Sequence, residues 1–344
     1  MKPSSENYKI WNDPDPEKTG EDYIAFLKIL GTSAWLTFKG KDSSRRRAIV
    51  TLLHGNEPSG LKAVHNWIKK NVIPETDLGI FVGSVEAALH LPILSHRYLP
   101  HEKDFNRCFN PPFECNQGRL ASRLINLLAD YSPEAVIDTH NTSAHSDAFA
   151  VAGHDTPSIR QLTQMFTRKL VVMHRRMGTL IESGKDFFPV LTVEFGGFTD
   201  PNADTLAEET LDDFIHRKDL FNVEAGPMQI LRDPHRLEVL PGHRLHYSSS
   251  IHDEELKDAD ITIFNTIDQL NFTLVRRHTR LGWLAKDGIN GLKVTDEAGH
   301  NLLNRFFYER DGFLMTAVDM NIFMATTDPY IAEKDCLLYL TAAE

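Results

Sequence analysis

"IVTLLHGNEPSG", residues 49–60, is the stretch on which the reading of this chain turns. The apolar run "RAIVTLL" (47–53) reads as a buried strand. It stops at His54, and Gly55, Asn56 and Glu57 follow. Pro58, Ser59 and Gly60 then open a helical pattern, "GLKAVHNWIKKNV", with Leu61, Val64, Trp67 and Ile68 on one face. Two readings compete. In one, Gly55 takes a backbone conformation that other residues resist and Asn56 or Ser59 caps the helix. In the other, His54 and Glu57 are half of a metal site. The HxxE spacing alone does not decide, because it occurs three times, at His54–Glu57, His235–Glu238 and His252–Glu255. The last two lie in charged surroundings and read as solvated side chains. Only the first sits between a buried strand and a helix.

Outward from this stretch, strands and helices alternate. "EDYIAFLKIL" (21–30) reads as a helix or a strand leading into the domain. "GIFVGSV" (79–85), "EAVIDTHNT" (134–142), "DAFAVAG" (147–153), "KLVVM" (169–173) and "FPVLTVEFGG" (188–197) read as strands. "RLASRLINLLADY" (119–131) and "DTLAEETLDDFIHRKDLF" (204–221) read as amphipathic helices. This alternation predicts an α/β domain with a parallel or mixed sheet over 1–224. After it come short apolar segments, "MQILRD", "RLEVL", "ITIFNT", "NFTLVRR", "GLKVT" and "CLLYLT", separated by Gly, Pro, Asp and Asn. They predict a smaller β-rich domain over 225–344.

The chain has 344 residues, enough for such a pair of domains. Its formal net charge of -11 offers no basic surplus for nucleic acid or an anionic membrane, yet leaves room for a locally basic pocket. No apolar run approaches the ~18–20 residues of a membrane helix, and the N-terminus has no apolar signal core. Three cysteines without a CxxC pair suit a reducing compartment. The expectation is a cytoplasmic protein, with homo-oligomerisation left open.

Three further polar signals accompany His54 and Glu57. In "VIDTHNTSAH", His140 sits just beyond a strand end, with Asp138 able to orient it. Two histidines and one carboxylate, with a position left for water, make the usual catalytic zinc arrangement. In "LTVEFGG" a strand ends at Glu194; a buried carboxylate needs a partner or a task, and general base beside a metal-activated water is one. In "HRYLPHEKDFNRCFN" (96–110), Asn106 and Arg107 are adjacent polar groups between Phe105 and Phe109; an arginine can grip a carboxylate, and Arg97 can polarise a carbonyl. Each has a plainer reading: a loop histidine, a core-edge ion pair, structural salt bridges.

Together and in this order, "HGNEPSG", "RY…DFNRCF", "DTHNT" and "VEFGG" resemble the aspartoacylase/succinylglutamate desuccinylase family of the zinc carboxypeptidase-like superfamily. The resemblance covers roughly residues 47–200 and, more loosely, the C-terminal part. The 83-residue step from Glu57 to His140 suits that family's shorter spacer. The resemblance implies a mixed α/β sheet flanked by helices, with a small β domain narrowing the entrance to the site. It implies one zinc ion on His54, Glu57 and His140, and Glu194 as general base. Asn106 and Arg107 would bind a substrate carboxylate, and Arg97 would assist the carbonyl. The segment "FFYERDGF" would supply an active-site tyrosine, Tyr308. The expected function is hydrolysis of an amide in a small or short-peptide substrate with a free carboxylate, foremost an N-acyl amino acid. The alternatives are a metallocarboxypeptidase, a non-catalytic metal or small-molecule binding protein, and a two-metal site that adds His145 or Asp147.

Overall fold

The computed structural model describes residues 8–174, 176–183, 188–222, 224–250, 259–296 and 299–343. Two compact units emerge: Met1–Asn141 with Ala148–Ile230, and Thr142–Asp147 with Leu231–Glu344.

The first unit is built on one nine-stranded sheet. Its strands are β1 (Lys9–Asn12), β2 (Ala34–Phe38), β3 (Asp42–Thr51), β4 (Thr76–Val82), β5 (Val136–Thr142), β6 (Phe149–Ala152), β7 (Lys169–Val172), β8 (Val190–Gly197) and β9 (Gln229–Arg232). Their order is β1-β2-β4-β3-β5-β8-β6-β7-β9. β3 runs parallel to β4 and β5, whereas β2 opposes β4 and β6 opposes β8, so the sheet is mixed. The "MQILRD" segment supplies β9, the edge of this sheet. The central strands are buried along their whole apolar runs, as expected where helices cover a sheet. Those helices are α1 (Tyr23–Leu30), α2 (Ser59–Lys70), α3 (Val85–Leu89), α4 (Asn116–Tyr131), α5 (Pro157–Phe166) and α6 (Pro201–His216). Residues 21–30, ambiguous in the sequence, resolve as α1. The Asp22 side chain accepts from Ala25 N at its start, and Gly31 closes it at φ +70°.

One buried cation ties the middle of this sheet together. Arg47, in β3, has no exposed side-chain surface. Its Nε donates to Glu134 Oε1 at 2.6 Å and its Nη1 to the Phe214 carbonyl, in α6, at 2.5 Å. Glu134 stands just before β5 and also receives Arg45. The ion pair thus pins β3 to β5, the strands that lead to His54 and His140.

The second unit holds two five-stranded sheets. Its strands are β10 (His235–Val239), β11 (Leu245–Ser248), β12 (Ile261–Phe264), β13 (Thr273–Val275), β14 (Arg280–Leu284), β15 (Leu292–Thr295), β16 (Phe307–Arg310), β17 (Phe313–Thr316), β18 (Met320–Phe323) and β19 (Leu338–Ala342). The sheet orders are β13-β18-β19-β10-β15 and β11-β12-β14-β17-β16. Leu237, Val294 and Leu338 of one sheet share a core with Ile261, Leu281 and Leu314 of the other. β16 and β17 form a tight hairpin over Asp311 and Gly312, both at positive φ, the backbone that an Asp-Gly turn supplies. His235 and Glu238 lie three apart in β10 and so point to opposite faces, which leaves that HxxE without a common ligand position. His252–Glu255 falls outside the described residues.

Glu134→Ala strands the Arg47 guanidinium in the core. It should cost on the order of 3 kcal/mol in denaturant unfolding, against less than about 1 kcal/mol for Arg45→Ala, which removes a part-exposed side chain and leaves Glu134 paired with Arg47. Equal losses would show that the buried pair does not fix the sheet.

Candidate metal centre

Beyond β3 the chain turns at Leu52, which sits at φ +59°, and delivers His54 below the start of α2. Gly55 is required for a reason other than the one expected. Its φ is not positive; instead, a Cβ there would lie 2.7 Å from both the Ala88 nitrogen and the His96 carbonyl oxygen. The expected cap is also corrected. Pro58 is the N-cap and no side chain of the turn caps α2. The Ser59 N–H donates instead to Asn141 Oδ1, at the end of β5, at 3.1 Å. His140 lies within β5 rather than beyond it, and Glu194 lies inside β8 rather than at its end. The parallel pairing of Thr51 with Thr139 brings the His54 turn alongside His140.

His54, Glu57 and His140 form the one cluster of three metal-binding side chains among the described residues, with ligand atoms within 4.8 Å of one another. All three are buried. His54 Nδ1 lies 2.9 Å from Glu57 Oε1, and His140 Nδ1 lies 2.6 Å from Glu57 Oε2. The far nitrogens face carboxylates: His54 Nε2 is 3.0 Å from Asp104 Oδ1, and His140 Nε2 is 3.1 Å from Asp138 Oδ2. Assigning each Nε2 a proton donated to its aspartate leaves both Nδ1 lone pairs directed at the Glu57 carboxylate. Acceptor then faces acceptor, and protons on the imidazoles or a cation at the centre would satisfy them. Two imidazole nitrogens and a carboxylate with outer carboxylate partners fit zinc.

The electrostatics carry the same signature. Burial alone would raise Glu57, but His54 and His140 outweigh it and hold the carboxyl well below its usual range. Burial would lower His140, but Asp138 and Glu57 drive it well above its usual value. Asp104, raised by burial, is likewise held far down by His54 and Arg97. All three shifts favour the charged forms, anionic carboxylates around a cationic centre.

Arg97 stands beside this cluster, its Nη1 donating to Glu57 Oε1 at 3.3 Å and its Nε to Asp104 Oδ2 at 2.9 Å. Glu194 is 8% exposed, and its Oε2 has no hydrogen-bond partner among the described residues. Burial pushes its carboxyl up to about 7, with Glu57 adding to the rise and His140, His54 and Arg97 opposing it. Asn106 and Arg107 share one short turn, Phe105–Arg107. The Asn106 amide is buried. Its Nδ2 is 3.3 Å from His140 Nε2 and its Oδ1 accepts from Leu180 N at 3.0 Å. Arg107 Nη1 donates to the Asn106 carbonyl. His145 and Asp147 are exposed, belong to the second unit and are not part of the cluster. Tyr308 lies in β16 of that unit, where its hydroxyl is 2.6 Å from His278 Nδ1.

Sequence reasoning left three participants unassigned. Asp104 holds His54, and its own acceptance from Asn106 N shapes the turn. Thr192 donates to Asp138 Oδ2 at 2.8 Å, and Asn141 N donates to Glu57 Oε2 at 3.2 Å. The only cue was an acidic residue two before "NR". Nothing in a strand pattern marks Thr192.

Asp138→Asn keeps the shape of the site but should weaken zinc binding by about 10–100-fold in a competitive chelator titration. An affinity equal to that of the parent would separate Asp138 from the orientation of His140.

No protein-family model and no curated protein matches the sequence. Solved structures do match its architecture. A succinylglutamate desuccinylase/aspartoacylase from Rhodobacter sphaeroides is 13% identical with a TM-score of 0.56, over 90% of this chain and 88% of that one. The succinylglutamate desuccinylase from Vibrio cholerae is 14% identical with a TM-score of 0.55, over 94% and 95%. Murine aminoacylase 3 is 16% identical with a TM-score of 0.52, over 88% and 97%. The long mixed sheet, its helices and the β-rich second unit are therefore the fold of the succinylglutamate desuccinylase/aspartoacylase proteins.

Proposed function

We propose that the chain is a zinc-dependent hydrolase that cleaves an amide bond in a carboxylate-bearing substrate, an N-acyl amino acid foremost. The observation that carries this reading is the convergence of His54 Nδ1, His140 Nδ1 and the Glu57 carboxylate in the same buried region as an unpartnered Glu194 oxygen. The names of the structural neighbours, desuccinylase, aspartoacylase and aminoacylase, support the substrate class. The proposal includes a single ion, a cytoplasmic setting, and a catalytic domain, 1–224, followed by a β-rich domain, 225–344. Among the described residues no helix is long and apolar enough to cross a membrane.

His54, Glu57 and His140 would hold the zinc ion, with Asp104 and Asp138 fixing the imidazoles. The ion would act as a Lewis acid at the amide carbonyl and lower the pKa of a water toward ~7. Glu194 takes a proton from the attacking water as the carbon–oxygen bond forms, and returns a proton to the nitrogen as the carbon–nitrogen bond breaks. The products are a carboxylate and an amine. Arg97 stabilises the oxygen that gains charge. Arg107 grips the substrate carboxylate with Asn106 beside it, and Leu180 N, donating to Asn106 Oδ1, holds the turn that presents them.

Glu194→Gln should retain one zinc per chain and lose about 10²–10⁴-fold in kcat/KM on an N-acyl amino acid. Near-parent turnover with zinc still bound removes Glu194 from the role of base. On the parent, N-acyl amino acids assayed beside short peptides distinguish deacylase from carboxypeptidase, and cleavage of peptides alone contradicts the deacylase reading.

A further inference from the structure

Two thiols stand next to the turn that carries Asn106 and Arg107. Cys108 Sγ and Cys115 Sγ are 4.0 Å apart and neither is bonded. Cys108 is buried and tied to that turn twice. Its N–H donates to the Phe105 carbonyl at 3.1 Å, and its Sγ donates to the Asp104 carbonyl at 3.3 Å. Cys115 is part-exposed and caps α4, its Sγ accepting from Gly118 N at 3.2 Å. The proposed reaction uses neither sulfur.

We propose that Cys108 and Cys115 are a modification site, closing to a reversible intramolecular disulfide under peroxide and thereby displacing the Asp104–Arg107 turn. Cys115, the accessible thiol, attacks peroxide as its thiolate. The O–O bond breaks, one oxygen stays on sulfur as a sulfenic acid, and the other leaves as water once protonated. The Cys108 sulfur then displaces the sulfenic hydroxyl, which departs with the Cys108 proton as a second water. Two thiols are oxidised by two electrons and one peroxide is reduced to two waters.

A sulfur–sulfur bond of about 2.05 Å requires the two atoms to close by roughly half their separation. Cys115 then leaves the Gly118 N–H and Cys108 leaves the Asp104 carbonyl. The intervening loop is short and contains Pro111 and Pro112, whose φ angles are fixed, so little of the movement is absorbed there. It passes to Asp104, which holds His54 and Arg97, and to Arg107. The effect on turnover rests on the hydrolase reading; formation of the bond does not.

Zinc-loaded protein treated with hydrogen peroxide should lose about 2 Da in intact mass, one disulfide in place of two thiols. Two of its three cysteines should go unlabelled by maleimide in denaturant, with Cys336 still labelled. A peptide map should place the bond between Cys108 and Cys115, and dithiothreitol should reverse it. KM for an N-acyl amino acid should rise about tenfold on oxidation and recover on reduction. C115S, whose hydroxyl still caps α4, should keep its mass and its KM through the same treatment. A covalent dimer, a sulfinic acid without a disulfide, or a disulfide that leaves KM unchanged overturns the proposal. Absence of turnover before any oxidation would instead count against the hydrolase reading.

Discussion

Two imidazole nitrogens, His54 Nδ1 and His140 Nδ1, lie 2.9 and 2.6 Å from the oxygens of one buried carboxylate, Glu57. Much of the first unit is arranged around that crowding. Acceptor atoms at such distances repel unless protons or a cation lie between them, and burial removes the water that would otherwise screen them. Asp104 and Asp138 add to the negative charge from behind the imidazoles. Each orients a ring, and together they deepen the deficit of positive charge that a divalent ion would fill.

The scaffold holds this arrangement through a few specific ties. Arg47 and Glu134 lock β3 to β5 at the ends remote from the site. At the near end, Asn141 accepts from Ser59 N, donates to Ser59 Oγ and the Gly196 carbonyl, and gives its own N–H to Glu57. One asparagine thus joins β5, β8, the start of α2 and a proposed ligand. Gly60 completes the approach: a Cβ there would lie 2.0 Å from Thr139 Oγ1, so only glycine lets α2 seat against β5. Helix and strand meet closely enough to share a polar cluster that neither could hold alone.

The alternation of elements was legible because its physics is local. Apolar runs such as "AIVTLL" and "VLTVEF" and amphipathic stretches such as α2 carry their own periodicity. The likeness of "HGNEPSG", "DTHNT" and "VEFGG" to one family pointed to His54, Glu57, His140 and Glu194 together. What could not be read were partners set by register and loop path. The Ser59 amide finds its acceptor 82 residues away at Asn141, so a local cap was the natural but mistaken inference. Gly55 was read as a conformational need and proved to be a steric one, since the backbone that crowds it belongs to Ala88 and His96. The strand ends were placed too early at both His140 and Glu194, because the polar residues that normally stop a strand instead continue it into the site. Asp104 and Thr192 became visible only once three-dimensional neighbours were known.

The most direct measurement is anomalous scattering from crystals of the purified protein, collected on both sides of the zinc absorption edge. The expected result is one peak per chain, about 2.0–2.2 Å from His54 Nδ1, His140 Nδ1 and a Glu57 oxygen. No peak after zinc addition, or a peak away from these three atoms, would contradict a zinc centre at His54, Glu57 and His140.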